Sequence, residues 1–478
     1  MNNVNITIFI VIFTLALMVI SAFYGWRKKR NERQYLVAEN NAGFLPLTFS
    51  IMGTFLGGGM LVSVAAMGYE AGFVGIVLGL SFFIGLILVG VFVKKFRRVA
   101  EESESSGGTT STILEVWKYK FDEKTYNVSV IIVGVLFIFF LSAQFLALVG
   151  FLKFFFGTSF FMSYLIVIVV LVLYTAVTGL EGVYWSDVVQ VILIFAVGII
   201  FILPNLISSS EGGRLLAKLP VDYFTGTGYG IVFFIGLIVF VGPSVLVRLE
   251  TWQRVVSGKS DSTTRKSFIV AGFGMLIFFI LFTLIGMLMK VEVGTLEPRT
   301  VIFKYFSMHL KGNVMLIALV MILATILSSA DSLINVLSIS IGKRLGIIGT
   351  KNKNEIVDKM NIRELTNISM IAIVISLIAV LMAWIVPDIV RMMINATASL
   401  LLLLPATLAS VFASKRSATG AVLSITLGFA PIVGFGIIGP LLGFMVLAKT
   451  SFVPATIISV ASYFIGYYID KKHGRLIT

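Results

Sequence analysis

The chain has 478 residues, enough by length for two or three soluble domains, but 58% of them are hydrophobic and only 13% are charged. That leaves too little polar surface to cover a soluble core, so the sequence reads as a polytopic, all-α membrane protein. It contains no cysteine, which excludes disulfide, thiolate and Cys-metal chemistry. The net charge of +14 does not point to nucleic acid, because the basic residues stand in short clusters between apolar runs and form no basic face.

A bilayer core of about 30 Å takes roughly 20 apolar residues per helix, and runs of that length predict thirteen spans. The first, Ile6 to Trp26, has no charge before it and Arg27, Lys28, Lys29 and Arg30 after it. Those flanks are the reverse of a cleavable leader's, and a retained helix with its N-terminus outside is expected. The remaining spans begin near Phe44, Phe73, Val128, Phe160, Val183, Tyr229, Phe268, Asn313, Asn367, Ile389, Ala418 and Phe452, with weakly marked boundaries at Pro387-Asp388 and from Gly434 to Pro454. Alternation leaves only Lys153, Arg214, Lys218, Lys290, Arg299, Lys304, Lys311, Arg391 and Lys449, nine of the 37 Lys and Arg, on the outer side. The positive-inside rule is met, with the C-terminus in the cytoplasm and the protein in the plasma membrane. Connections this short leave no room for a soluble catalytic domain. His309 and His473 fall at membrane edges, where they make neither a zinc site nor a triad, so no enzyme is expected.

Unsatisfied backbone groups are costly in hydrocarbon, so broken helices persist only where they line a cavity. The second span contains Gly53-Thr54-Phe55-Leu56-Gly57-Gly58-Gly59, which permits unwinding near mid-depth. The seventh contains Val241-Gly242-Pro243-Ser244, where Pro243 removes a helical hydrogen bond. Five spans separate the two, the placement of corresponding breaks in a pair of inverted five-helix repeats. In the ninth span Thr325, Ser328, Ser329, Ser332 and Asn335 recur at three- and four-residue steps, a hydroxyl stripe joined by Asp331. A carboxylate within a span costs at least ~2.5 kcal/mol unless it meets a cation or water. Hydroxyls, freed carbonyls and a carboxylate suit a hard monovalent cation, sodium being the natural candidate. Asp187 enters the sixth span one or two turns from the cytoplasmic side and is expected to face the ninth.

These pieces resemble the sodium:solute symporter family, which includes sodium/proline, sodium/sialic acid and sodium/glucose carriers. The likeness lies in Gly43 to Gly72, Gly182-Val183-Tyr184-Trp185-Ser186-Asp187-Val188-Val189-Gln190, Gly242-Pro243 with Arg248, Gln253-Arg254, and Ser328-Ser329-Ala330-Asp331-Ser332. It implies a leucine-transporter type core of ten helices over residues 44–412, in repeats over 44–203 and 229–412. Residues 1–43 would hold a leading helix and linker, and 413–478 two further helices and a tail. By the same resemblance a common sodium site takes backbone oxygens from Gly53, Leu56 and Thr325 and the hydroxyls of Ser328 and Ser329. A second cation site falls on Asp187, Ser328, Asp331 and Ser332, where Asp331 replaces a family hydroxyl and the occupant is sodium or a proton.

A solute cavity is expected at Thr54, Phe55, Gly57, Gly58, Gln144 and Ser244, with few hydrogen-bonding groups. Phe55 stands where the sodium/proline branch has an acidic residue, and Ile235 and Val239 where it has aromatic or polar groups. Those differences argue against proline, and no sugar-binding polar set is present. The sequence therefore predicts a monomeric sodium-coupled symporter of a small organic solute, an amino acid or monocarboxylate, moved into the cell by alternating access. A proton-coupled carrier of the same fold and a non-concentrative sensor or channel-like protein are the alternatives.

Overall fold

Apolar runs in hydrocarbon must close their own backbone hydrogen bonds, and the chain does so almost wholly by helix. A computed structural model of the protein describes residues 41–105, 110–159, 161–163, 165, 180–348, 362–386, 388–439, 442 and 450–478. The span expected from Ile6 and nearly all of that from Phe160 lie outside the described residues. The other eleven expected spans each coincide with helix. The first is a bent pair, α1 (Phe44–Phe55) and α2 (Gly58–Ala71), followed by α3 (Val74–Ser105), the short α4 (Ile113–Lys120) and α5 (Glu123–Phe156). Next, α6 (Leu180–Ala196) continues through a π-helical turn (Val197–Ile202) into Leu203–Ser209. A second bent pair follows, α7 (Ile231–Val247) and α8 (Leu249–Ser257), then α9 (Asp261–Val293), α10 (Val301–His309), α11 (Gly312–Arg344) and α12 (Ile362–Ile385). The last are α13 (Ile389–Ser399), α14 (Leu404–Phe412), α15 (Ala418–Pro431) and α16 (Phe452–Lys472).

Two of the long helices begin on side-chain caps that satisfy one of their first amides. The Asp122 carboxylate accepts from Thr125 N at 2.7 Å at the start of α5, and the Ser260 hydroxyl from Thr263 N at 3.2 Å at the start of α9. In the interior, α9 lies against α2 and α3, α1 against α6, and α11 against α1, α5 and α6. The lipid-facing sides carry exposed Ile, Leu, Val and Phe, as a membrane surface requires. Near one end of the bundle, His309 Nε2 lies 2.6 Å from Glu292 Oε2 and its Nδ1 3.0 Å from Ser209 Oγ, tying together the ends of three helical segments.

Both bends fall where two helices of this interior are interrupted. α1 and α2 meet at 55° across Leu56 and Gly57, and α7 and α8 at 53° across Arg248, whose backbone is extended. The second break is therefore five residues beyond Pro243, where the sequence placed it. A π-helical turn at Leu237–Val241 absorbs the amide that Pro243 lacks, and Ser244 Oγ donates to the Val241 carbonyl at 2.6 Å. Gly242 serves close packing instead, since a Cβ there would stand 2.9 Å from the Ser81 carbonyl oxygen of α3. Ile235 and Val239 are each 51% exposed on the outer side of α7, so neither lines an interior cavity.

Candidate ion and solute site

The hydroxyl stripe of α11 is buried and faces the broken first helix. Ser329 Oγ lies 3.0 Å from the Gly53 carbonyl oxygen and 3.1 Å from that of Thr54, at the last turn of α1 before the break. Ser328 donates a short hydrogen bond to Asp187 Oδ1 of α6. Thr325, one turn earlier, bonds its hydroxyl to the Ile322 carbonyl at 2.6 Å, and Leu56 caps α1 with its amide 2.7 Å from the Met52 carbonyl. The five residues expected at a common sodium site thus fall on two facing segments, the end of α1 and the middle of α11.

The residues expected at a second cation site surround a group that the sequence reading did not place there, the guanidinium of Arg254 from α8. Its Nη2 donates to Ser332 Oγ at 3.1 Å and to Ser50 Oγ at 3.1 Å, and lies 3.8 Å from Asp187 Oδ2. Ser50 in turn donates to Asp187 Oδ2 at 2.7 Å, and Thr54 Oγ1 reaches Ser332 Oγ at 3.3 Å. Asp187, Ser328 and Ser332 are brought together, with Arg254 and Ser50 added and no residue of the set more than 1% exposed. Asp331 is buried on the same helix, one position before Ser332. The signal for Arg254 was present in the sequence, as a charge inside a predicted inner connection, but its partners lie 204 and 78 residues away.

The expected solute residues gather at the first break, with one exception. Gln144 Oε1 of α5 accepts from the Gly59 amide at 2.8 Å, satisfying one of the amides that start α2. At Gly57 a Cβ would stand 2.5 Å from Ser329 Oγ and 2.8 Å from Gln144 Nε2, so only glycine lets these three elements converge. Gly58 faces Ile326 of α11 just as closely. Phe55 is buried, edge-on to Phe82 with centroids 5.9 Å apart, and lies against the guanidinium of Arg248. Ser244 is the exception, its hydroxyl turned back on its own helix.

Two helix breaks with buried oxygens and charges converging on them define an inverted-repeat membrane carrier. Its fold is the leucine-transporter type. The chain belongs to the sodium:solute symporter family, whose profile matches residues 35–428. A stretch of 192 residues, 39% of the chain, is 28% identical to the sodium-dependent multivitamin transporter of Oryctolagus cuniculus, and spans 28% of that protein's length. Among solved structures, a Na+-coupled sialic acid symporter in a substrate-bound outward-open state is similar at TM-score 0.73 and 17% identity, over 95% of this chain and 97% of that one. Mhp1, a nucleobase-cation-symport-1 family transporter in a closed conformation with bromovinylhydantoin bound, is similar at TM-score 0.57 and 13% identity, over 93% and 97%. MhsT in complex with L-phenylalanine is similar at 0.51 and 13%, over 90% and 98%. At these identities the likenesses establish the fold.

Proposed function

We propose that the protein is a sodium-coupled symporter that carries a small organic solute of the amino acid or monocarboxylate class into the cell by alternating access. The observation that carries this reading is the Ser329 hydroxyl set between the Gly53 and Thr54 carbonyls at the first break. Hydroxyl and carbonyl oxygens of this kind suit a hard monovalent cation. Gly53, Leu56, Thr325, Ser328 and Ser329 would hold the sodium, and Thr54, Phe55, Gly57, Gly58 and Gln144 would edge the solute. The transport core would span residues 44–412, with the end bearing α8 in the cytoplasm, as the clustering of Lys and Arg on that side supports. In the Asp187 pocket we read Arg254 as the cationic partner already in place, which favours one coupled sodium over two. Family membership and the sodium-coupled relatives support the ion; among the residues that would edge the solute only Thr54 and Gln144 carry hydrogen-bonding side chains, which supports a solute less hydroxylated than a sugar.

Proteoliposomes test it directly. An inward sodium gradient should drive uptake of labelled amino acids or short monocarboxylates against their gradients, and a proton gradient alone should not. Uptake driven equally by protons without sodium would favour the proton-coupled carrier instead.

A further inference from the structure

The second break carries a charge that the sodium cluster does not use. Arg248, 3% exposed, occupies the extended residue between α7 and α8, the counterpart of Leu56 and Gly57 in the first broken pair. A buried arginine at a helix break inside the bundle is costly and has to be held by partners. Its guanidinium carbon lies 4.6 Å from the Phe55 ring centroid and 4.4 Å from that of Phe140, so α1 and α5 sandwich it between two aromatic faces. Glu250 takes Nε and Nη2 as an ion pair. The remaining nitrogen, Nη1, has no hydrogen-bond partner among the described residues, although it is fully buried. Glu250 Oε2 is likewise buried without a partner among the described residues, and a buried guanidinium N–H left unmatched is expensive, a cost that an acceptor supplied from outside the chain would remove.

The position selects that acceptor. Phe55 touches Arg248 and immediately precedes the Leu56-Gly57 break, and Phe140 is one helical turn before Gln144, which accepts from the Gly59 amide at the start of α2. Arg248 therefore connects the two breaks, where inverted-repeat carriers hold their solute. The two rings and Glu250 hold the guanidinium in place, and Nη1 remains a donor with a positive charge. That donor prefers a carboxylate oxygen over a neutral hydroxyl, because a charge-assisted hydrogen bond is roughly twice as strong as a neutral one.

We propose that Arg248 is a solute-binding residue that receives the carboxylate of the transported molecule at Nη1, so that the protein selects carboxylic acids and amino acids over uncharged sugars and polyols. The inference rests on the symport reading and adds the recognition group to it.

The test uses the full chain in proteoliposomes filled with buffer and placed in a small-metabolite extract under an inward sodium gradient, with accumulated solutes identified by mass spectrometry. Carboxylates should dominate what accumulates, and the primary amide of the best accumulated acid should compete at least tenfold more weakly than the acid. Arg248→Met should lose that uptake while keeping the sodium-induced thermal stabilisation of the unaltered protein. Arg248→Lys, which keeps the charge but not the planar fork, should raise KM for the acid with a smaller change in kcat. If Arg248→Met is not monodisperse, the Lys variant and the acid-amide comparison still decide. Sodium-driven accumulation of uncharged solutes, equal competition by acid and amide, or unchanged acid uptake by either Arg248 variant would overturn the assignment and leave the symport reading intact. No sodium-driven accumulation of any solute would instead overturn the symport reading, and this assignment with it.

Discussion

Ser329 contributes a side-chain oxygen that lies between two main-chain carbonyls of α1. Ser329→Ala should raise the sodium concentration for half-maximal uptake about tenfold, equivalent to ~1.4 kcal/mol, with KM for the solute measured at saturating sodium much less affected. Unchanged sodium dependence in correctly inserted protein would remove Ser329 from the ion site. Asp187 and Arg254 make a different kind of prediction, because both are buried and each compensates the other. Removing one member of such a pair leaves a charge uncompensated and typically costs about 3–5 kcal/mol, whereas removing both can be close to neutral. Arg254→Met and Asp187→Asn should therefore each lower the thermal midpoint of the purified protein more than the double variant does. Additive losses, measured as a double-mutant cycle, would show that the two charges do not interact.

At the scale of elements, the helices were legible because a span declares itself by length and hydropathy, and the stripe from Thr325 to Asn335 because three- and four-residue spacing fixes a helix face. The first break was legible from three consecutive glycines. The second was misplaced by five residues, because proline marks a missing amide and carries no information on whether a π-helical turn absorbs it. Arg248 at the break is held by Phe55, Phe140 and Glu250, and two of those partners are more than a hundred residues away in the chain. Arg254 and Ser50 were missed at the polar cluster for the same reason. The glycines also prove to have different tasks. Gly58 is held against Ile326, so an added methyl would crowd α2 off α11. Overpacking of this kind costs about 1–3 kcal/mol. Gly58→Ala should impair transport and stability together, and Ile326→Ala in the same chain should recover much of both. Failure of the second substitution to help would place the role of Gly58 in backbone freedom at the break.

For the whole molecule the question is how much charge crosses the membrane in each cycle. One sodium entering through about 100 mV contributes ~2.3 kcal/mol and a tenfold sodium ratio ~1.4 kcal/mol, together enough to concentrate a zwitterion several hundred-fold. A monocarboxylate bound through Arg248 would carry its own negative charge inward and cancel the potential term, leaving about the tenfold that the sodium ratio supplies. Asp187 and Arg254 neutralise each other within the protein, and neither leaves with the solute. With one sodium per solute, accumulation of an anionic acid should therefore be insensitive to an imposed potassium-diffusion potential. Accumulation of a zwitterionic amino acid by the same protein should change about tenfold for each ~60 mV. The comparison needs only steady-state uptake ratios at two potentials. A tenfold response for the anion would mean that a second cation enters with it, and the Asp187 pocket, with Arg254 displaced from Ser332, would be the place to look for that ion.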